Sequence, residues 1–166
     1  MQKIAGSRIE AVRSCVDEIL LGMTDFVARR CAYVHLYGVS QMCAVIARKR
    51  NVSAELAIIA GMLHDIAAYK NAGCHNHAHE SAAMADKILG ALNLFSGDEH
   101  DSICGAVYNH SDKESCHPPL TEVLVDADVA CHYLYNPYQF SAASDAVAAR
   151  LSRLRTEFFI GTEYAD

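Results

Sequence analysis

Residues 54–69, AELAIIAGMLHDIAAY, are the stretch that decides the fold. Apolar residues cover nearly every side of the helix that this stretch predicts, so the helix belongs at the centre of the protein. It also carries His64 and Asp65. A buried carboxylate is costly unless it is paired, hydrogen-bonded or bound to a metal, and the stretch contains no lysine or arginine. Joint coordination of a divalent ion by His64 and Asp65 would compensate the charge.

Outward from this stretch, the hydrophobic spacing is helical along nearly the whole chain, and alternating runs typical of strands are scarce. We therefore predict an all-α fold of about six to seven helices. Thr24 is the predicted cap of the second helix. The predicted helical stretches cover about residues 2–22, 25–37 continuing into 35–50, 54–69, 79–92, 96–110, 120–134 and 141–159.

Composition limits the function classes. The chain has 166 residues, of which 52% are hydrophobic, and this predicts a single domain over residues 1–166 that needs no metal to hold its core together. The net charge is −6 and the 14 Lys and Arg are spread out, which disfavours nucleic-acid binding. Seven cysteines without a CxxC pair indicate a reduced protein, and no apolar run is long enough for a membrane span. We expect a cytoplasmic protein.

Further histidines and aspartates that could bind a metal lie near the ends of other predicted helices. Nine histidines are many for this length, although a single histidine in a helix is usually a surface or core residue. The order of the candidates along the chain therefore matters more than any one of them. The candidates are His35, His75, His77, His79, His110, Asp126 and Asp128.

The ordered elements resemble an HD-domain metal-dependent phosphohydrolase, and the likeness runs from His35 to about Tyr135. After His35 the elements are AGMLHDIAAY (60–69), HAHESAAMADKIL (77–89), AVYNHSD (106–112) and LVDADVACHYL (124–134). The resemblance implies a compact helical bundle with a metal site between its helices. It also implies a motif-bearing core at about residues 26–135, on which the terminal helices pack.

The resemblance implies a ligand set. His35, His64, Asp65 and Asp128 would hold one ion, with Asp128 preferred to Asp126. The subset of the family with two ions adds His77 and His110, and Asp65 would then bridge both. The cofactor implied is one or two divalent ions, drawn from Fe, Mn, Ni, Co or Zn, with Mg as a further possibility.

The subgroup that the chain resembles most is the small bacterial HD hydrolases that cleave dinucleoside polyphosphates symmetrically. This implies hydrolysis of a nucleotide or dinucleoside polyphosphate through a metal-activated hydroxide. The predicted catalytic residues are Asp65, which would orient the hydroxide, and Asp112 and Lys113, which we choose because they directly follow His110 in the sequence. Asp112 and Lys113 are expected to contact the leaving group or phosphate. The chain departs from many relatives at Ala68, where they carry a lysine; Lys70 or Lys113 could supply that charge instead.

Two alternatives use the same ligands: an HD-type di-iron oxygenase, and a non-catalytic metal-binding regulatory domain. The partners expected are a small phosphorylated molecule, with no nucleic acid and no membrane, and a homodimer through the last helix is possible. The roles of His75 and His79 stay open. His100, His117 and His132 have no place in the motif, and we interpret them as structural.

Overall fold

The structure is a computed structural model that describes residues 8–70, 76–135 and 144–158. These residues form eight helices and no strand, which confirms the all-α class. The helices are α1 (Arg8–Leu21), α2 (Phe26–Lys49), α3 (Ala54–Leu63), α4 (Ile66–Lys70), α5 (His77–Leu92), α6 (Gly97–Asn109), α7 (Pro119–Tyr135) and α8 (Asp145–Phe158). Among the described residues, no helix combines the length and apolar character that crossing a bilayer requires. The predicted single domain over 1–166 extends beyond these residues.

Helix α3 lies at the centre of the bundle, as its apolar sequence predicts. Every residue from Ile59 to Leu63 is buried, and α3 packs against α1, α2, α6 and α7. A helix that is apolar on all sides needs neighbours on all sides. The central helix therefore fixes the positions of His64 and Asp65, which directly follow it.

The contact between α2 and α3 is especially close at Gly61. A Cβ atom at this position would lie 2.7 Å from Ser40 Cα and 2.9 Å from Ser40 N. Next to this contact the Ser40 hydroxyl donates a hydrogen bond of 3.0 Å to the Ile58 carbonyl. The absence of a side chain at Gly61 lets the backbones of the two helices approach each other.

The prediction of one helix over residues 54–69 is wrong at the two residues that carry the candidate metal ligands. Helix α3 ends at Leu63 and α4 begins at Ile66, so the chain changes direction at His64 and Asp65. The Ala67 N–H at the start of α4 donates to the buried Ser81 hydroxyl, at 3.1 Å. Ser81 therefore satisfies an N–H donor that the interrupted helix leaves free. The break also makes eight helices among the described residues, instead of the predicted six to seven.

Other helix ends also differ from the prediction. Helix α2 is continuous and is capped by Asp25, whose carboxylate accepts the N–H groups of Val27 and Ala28, rather than by Thr24. His35 consequently lies inside a long helix and not at a helix start. Helix α5 begins two residues before the predicted position. The predicted first and last helices begin or end in residues outside the described ranges.

Helix α8 is anchored to α7 by a buried ion pair. Arg150 contacts the Asp126 carboxylate at 2.8 Å and the Glu122 carboxylate at 2.8 Å. It also donates to the backbone carbonyls of Lys113 at 2.9 Å and Ser115 at 3.3 Å. The anchor therefore also fixes the segment that follows α6.

We expect Gly61→Ala to lower the free energy of unfolding by about 1–3 kcal/mol, because the added methyl group meets the backbone of α2 and one helix must shift. Gly105→Ala in α6 is the matched control, since nothing lies within 4 Å of its Cβ position. The control should be neutral or stabilising by up to about 1 kcal/mol. Urea unfolding of both variants measures this, and equal stability of the two would contradict the close approach of α2 and α3.

Candidate metal centre

Six of the sequence-predicted ligands lie together where α2, α5, α6 and α7 meet the break between α3 and α4. The group combines four imidazoles with two carboxylates. Helices α2, α5 and α7, the end of α6 and the break between α3 and α4 each contribute at least one of them, so the cluster forms only when these elements are assembled. Its members are His35 (α2), His64 and Asp65 (the break), His77 (α5), His110 (the end of α6) and Asp128 (α7).

His64 is oriented by a hydrogen bond to the last turn of α3, the helix that it follows. Its Nδ1 lies 2.8 Å from the Gly61 carbonyl oxygen, which can only accept, so Nδ1 carries the proton. The opposite nitrogen, Nε2, then presents a lone pair, and it lies 3.0 Å from Nε2 of His35. His110 repeats the arrangement, with Nδ1 at 2.7 Å from the Val107 carbonyl. A backbone carbonyl on the far nitrogen is typical of metal-ligating histidines.

The Asp65 carboxylate lies between two pairs of histidines. Its Oδ2 is 3.5 Å from His35 Nε2 and 3.6 Å from His64 Nε2. Its Oδ1 is 3.3 Å from His110 Nε2 and 3.6 Å from His77 Nε2. Oδ1 is buried and has no hydrogen-bond partner among the described residues. A buried unpaired carboxylate oxygen faced by ring nitrogens fits a cation at that point.

The two oxygens of Asp128 have different neighbours. Oδ1 faces the first histidine pair, at 3.5 Å from His35 Nε2 and 3.7 Å from His64 Nε2. Like Asp65 Oδ1, it is buried without a hydrogen-bond partner among the described residues. Oδ2 accepts a hydrogen bond of 2.6 Å from Lys113 Nζ. Lys113 therefore holds the carboxylate with Oδ1 turned towards the histidines.

His64 and the two carboxylates of the cluster have the protonation states that metal binding requires. Burial lowers the pKa of His64 to about 4, so its imidazole is neutral at pH 7. Burial on its own would raise the pKa of Asp65, but His64, His110 and His35 outweigh it and hold that pKa well below its usual range. His132, Lys113 and His64 do the same for the pKa of Asp128. Neutral imidazole and ionised carboxylate are the forms that bind a divalent ion.

Two groups of donors in this cluster could hold a metal ion. One consists of His35, His64 and Asp65, and the other of Asp65, His77 and His110, with the donor atoms of each group within 4.8 Å of one another. Imidazole and carboxylate together suit divalent transition metals. The donor set, the unpartnered oxygens and the protonation states all fit a metal centre.

Two further predicted residues have other surroundings. The Asp112 carboxylate accepts the N–H groups of Glu114 and Ser115, each at 3.1 Å, so it shapes the turn after α6 and lies outside the cluster. Asp126 faces away from the cluster and contacts Arg50 and Arg150, each at 2.8 Å. Asp126 and Asp128 are two residues apart on a helix and so point to different sides, which agrees with the preference for Asp128.

The remaining candidate site residues differ in whether they contact the cluster. Lys113 contacts the cluster, whereas Lys70 lines a different cavity beside α1. His79 is exposed, and its ring stacks on Tyr108 with centroids 3.8 Å apart. His75 lies outside the described residues.

His132 was interpreted as structural, but the structure places it at the cluster. Its Nε2 lies 3.3 Å from Asp128 Oδ1, and its ring centroid is 4.8 Å from that of His35. The sequence contains one signal for this position: His132 follows Asp128 by four residues, and residues four apart share a helix face. The family motif does not include this position, so the motif alone does not indicate His132.

A cavity of about 480 Å³ opens beside the first histidine pair. No lysine or arginine is among the described residues that line it, and its wall is largely apolar and aromatic. His35 and Asp65 of the metal cluster are among its polar groups. The lining residues are Cys31, Val34, His35, Gly38, Asp65, Tyr69, Cys131, His132, Leu134 and Tyr135.

Comparison with known proteins gives one family and one related fold. A family model described as HD domain matches residues 32–135. No curated protein matches the chain. Among solved structures, the chain is similar to a predicted HD superfamily hydrolase from an uncultured Thermotogales bacterium. The two are 22% identical, the match covers 87% of this chain and 85% of the other, and the TM-score is 0.59. At this identity, the likeness supports the fold.

We expect Asp65→Asn to lose most of the divalent-metal binding. Asp65 belongs to both groups of donors, and an amide offers a single oxygen and no negative charge. Metal that binds only the folded state raises the melting temperature. Mn²⁺ added to chelator-treated protein should therefore stabilise the wild type and leave Asp65→Asn nearly unchanged.

The control is Asp112→Asn, which keeps the oxygen that accepts from the turn and should respond to Mn²⁺ as the wild type does. Isothermal titration and thermal unfolding with Mn²⁺ as the added ion give the comparison. A wild-type response in Asp65→Asn would argue against this centre.

Proposed function

This chain belongs to the HD domain family, and from that membership and its metal centre we propose that it is a metal-dependent phosphohydrolase that acts on a nucleotide or dinucleoside polyphosphate. The observation that carries the proposal is the position of Asp65, with one carboxylate oxygen facing His35 and His64 and the other facing His77 and His110. A carboxylate shared in this way is suited to two ions a few ångströms apart.

Divalent ions held by the six clustered residues would supply a bound water of lowered pKa and positive charge for the oxygens of a phosphoryl group. The residues of this chain provide the frame for that chemistry. His64 and His110 are fixed by the carbonyls of Gly61 and Val107, so their free nitrogens keep a constant direction. Asp65 sets the spacing between the two histidine pairs.

Lys113 is the cation that this chain offers to a phosphate in place of the lysine absent at Ala68. Two of its three N–H groups bond to Asp128 Oδ2 and to the His110 carbonyl, at 2.6 and 2.8 Å. The third remains for a substrate oxygen at the edge of the centre. In this proposal Lys113 both positions Asp128 and contacts phosphate, whereas Asp112 has no direct part.

The cavity beside the centre favours a substrate that carries an aromatic group. Its volume of about 480 Å³ lies in the range of small-molecule sites. The wall offers Tyr69, Tyr135 and aliphatic side chains to the flat face of a nucleobase, while the centre at its inner end takes the phosphate. A nucleotide has both parts at a suitable distance, whereas inorganic polyphosphate would leave the cavity empty.

The proposal is tested by phosphate release from nucleoside triphosphates and by cleavage of dinucleoside polyphosphates. Protein loaded with Mn²⁺, Co²⁺ or Fe²⁺ should hydrolyse at least one of these compounds. Asp65→Asn should lower kcat/KM by at least about a thousandfold, since it removes the ligand common to both donor groups. Asp112→Asn should stay within a few fold of the wild type.

Two results would contradict hydrolysis. Two bound irons with oxygen consumption and no cleavage of any phosphoester would indicate an oxygenase. A tightly bound metal with no turnover on any of these substrates would indicate a regulatory domain.

We expect Gly38→Leu to raise KM for the nucleotide by about tenfold or more with a smaller change in kcat, because the new side chain fills the cavity and leaves the cluster intact. Gly38→Ala is the matched control: its Cβ would lie 3.9 Å from Cys131 Sγ, which is ordinary contact. Steady-state kinetics of both variants, with melting temperatures to establish folding, decide the matter. An unchanged KM in a folded Gly38→Leu protein would place the base elsewhere.

A further inference from the structure

We propose that His132 is an additional metal ligand, and that it binds the same ion as His35 and Asp128. The inference rests on the proposed metal centre and extends it by a residue outside the family motif. His35, Asp128 and His132 form a third group whose donor atoms lie within 4.8 Å of one another.

The first support is the unpartnered oxygen of Asp128. The Asp128 side chain is only 8% exposed, and its Oδ1 has no hydrogen-bond partner among the described residues. His132 Nε2 lies 3.3 Å from this atom. Adjacent ligand atoms around an ion with bonds of about 2.1 Å are about 3.0 Å apart in an octahedron and about 3.4 Å apart in a tetrahedron. The observed separation fits two donors that face one ion.

The second support is a count of lone pairs. His35 Nε2 is the nitrogen that faces both His64 Nε2, at 3.0 Å, and Asp128 Oδ1, at 3.5 Å. An imidazole nitrogen offers one lone pair and binds one ion. The two donor groups that include His35 therefore serve the same ion, and His132 does not define a third metal position.

The ligand set of the two ions is then unequal. The ion near His35 would have five donors from the protein, which are His35, His64, Asp65, Asp128 and His132. The ion near His77 would have three, which are His77, Asp65 and His110. Five donors favour an ion that accepts six ligands, and they would leave one position on it for water or a phosphate oxygen. The ion near His77 has more open positions and should exchange faster.

Helix α7 explains how His132 can reach the centre although its side chain is 59% exposed. Asp128 and His132 are one turn apart on α7 and share a face. The ring of His132 also lines the cavity. Because the side chain is largely exposed, its replacement should not disturb the core, and metal binding can be measured in a folded variant.

The test uses Co²⁺ alone, titrated into chelator-treated protein and followed by calorimetry and visible absorption. Wild type should take up two ions, one more tightly than the other. His132→Gln should weaken the tighter step by at least about tenfold and change its absorption bands, because the ion loses a nitrogen ligand. His79→Gln is the matched control, since His79 is an exposed histidine with no contact to the cluster among the described residues.

His132→Ala gives a second measurement, because added imidazole can enter the cavity and take the empty position. Restoration of the wild-type spectrum by imidazole supports a ligand role, which a structural role would not produce. A folded His132→Gln protein with wild-type affinity and spectrum would overturn the inference.

Asp65→Asn distinguishes the failure of this inference from failure of the proposed function. If Asp65→Asn loses Co²⁺ while His132→Gln binds normally, only the role of His132 is wrong. If Asp65→Asn also binds normally, the metal centre itself is wrong.

Discussion

The burial of two ionised carboxylates against four imidazoles is the constraint on which the rest of this structure depends. Asp65 and Asp128 each keep an oxygen buried without a hydrogen-bond partner among the described residues. Left uncompensated, such groups would cost several kcal/mol each. The histidines come from three other helices and from the break beside Asp65. The centre therefore forms only when these helices have packed together.

Several contacts with no direct part in the chemistry keep this arrangement in place. Gly61 lets α2 approach α3 and its carbonyl also orients His64, so one small residue serves both the packing and the ligand. Ser81 satisfies the N–H that the helix break leaves free. Arg150 on α8 holds the carbonyls of the segment that carries Lys113. A change at any of these positions would reach the centre through the backbone.

The sequence predicts the helical class and the central helix because apolar spacing is a local property. It also indicates the six clustered residues, through their order and the family likeness. It does not predict the break at His64, because a free N–H can be satisfied by a distant hydroxyl that local pattern does not reveal. His132 was missed for a related reason: its role depends on which face of α7 meets the centre. Asp112 lies outside the cluster although it follows His110 closely, because nearness along the chain does not fix the direction of a side chain.

The charge of the centre bears on which substrates it can take. The ionised carboxylates of Asp65 and Asp128 and the ammonium of Lys113 leave a small net negative charge among these groups, while metal-binding imidazoles are neutral. Two divalent ions would reverse this and give a strongly positive site in a mostly apolar surrounding, where an unpaired charge is costly. A polyphosphate supplies the matching negative charge, and a neutral substrate does not. Since the cavity wall carries no lysine or arginine among its described residues, the proposed polyphosphate substrate would have its charge met at the ions and Lys113, and its uncharged part would lie against the wall.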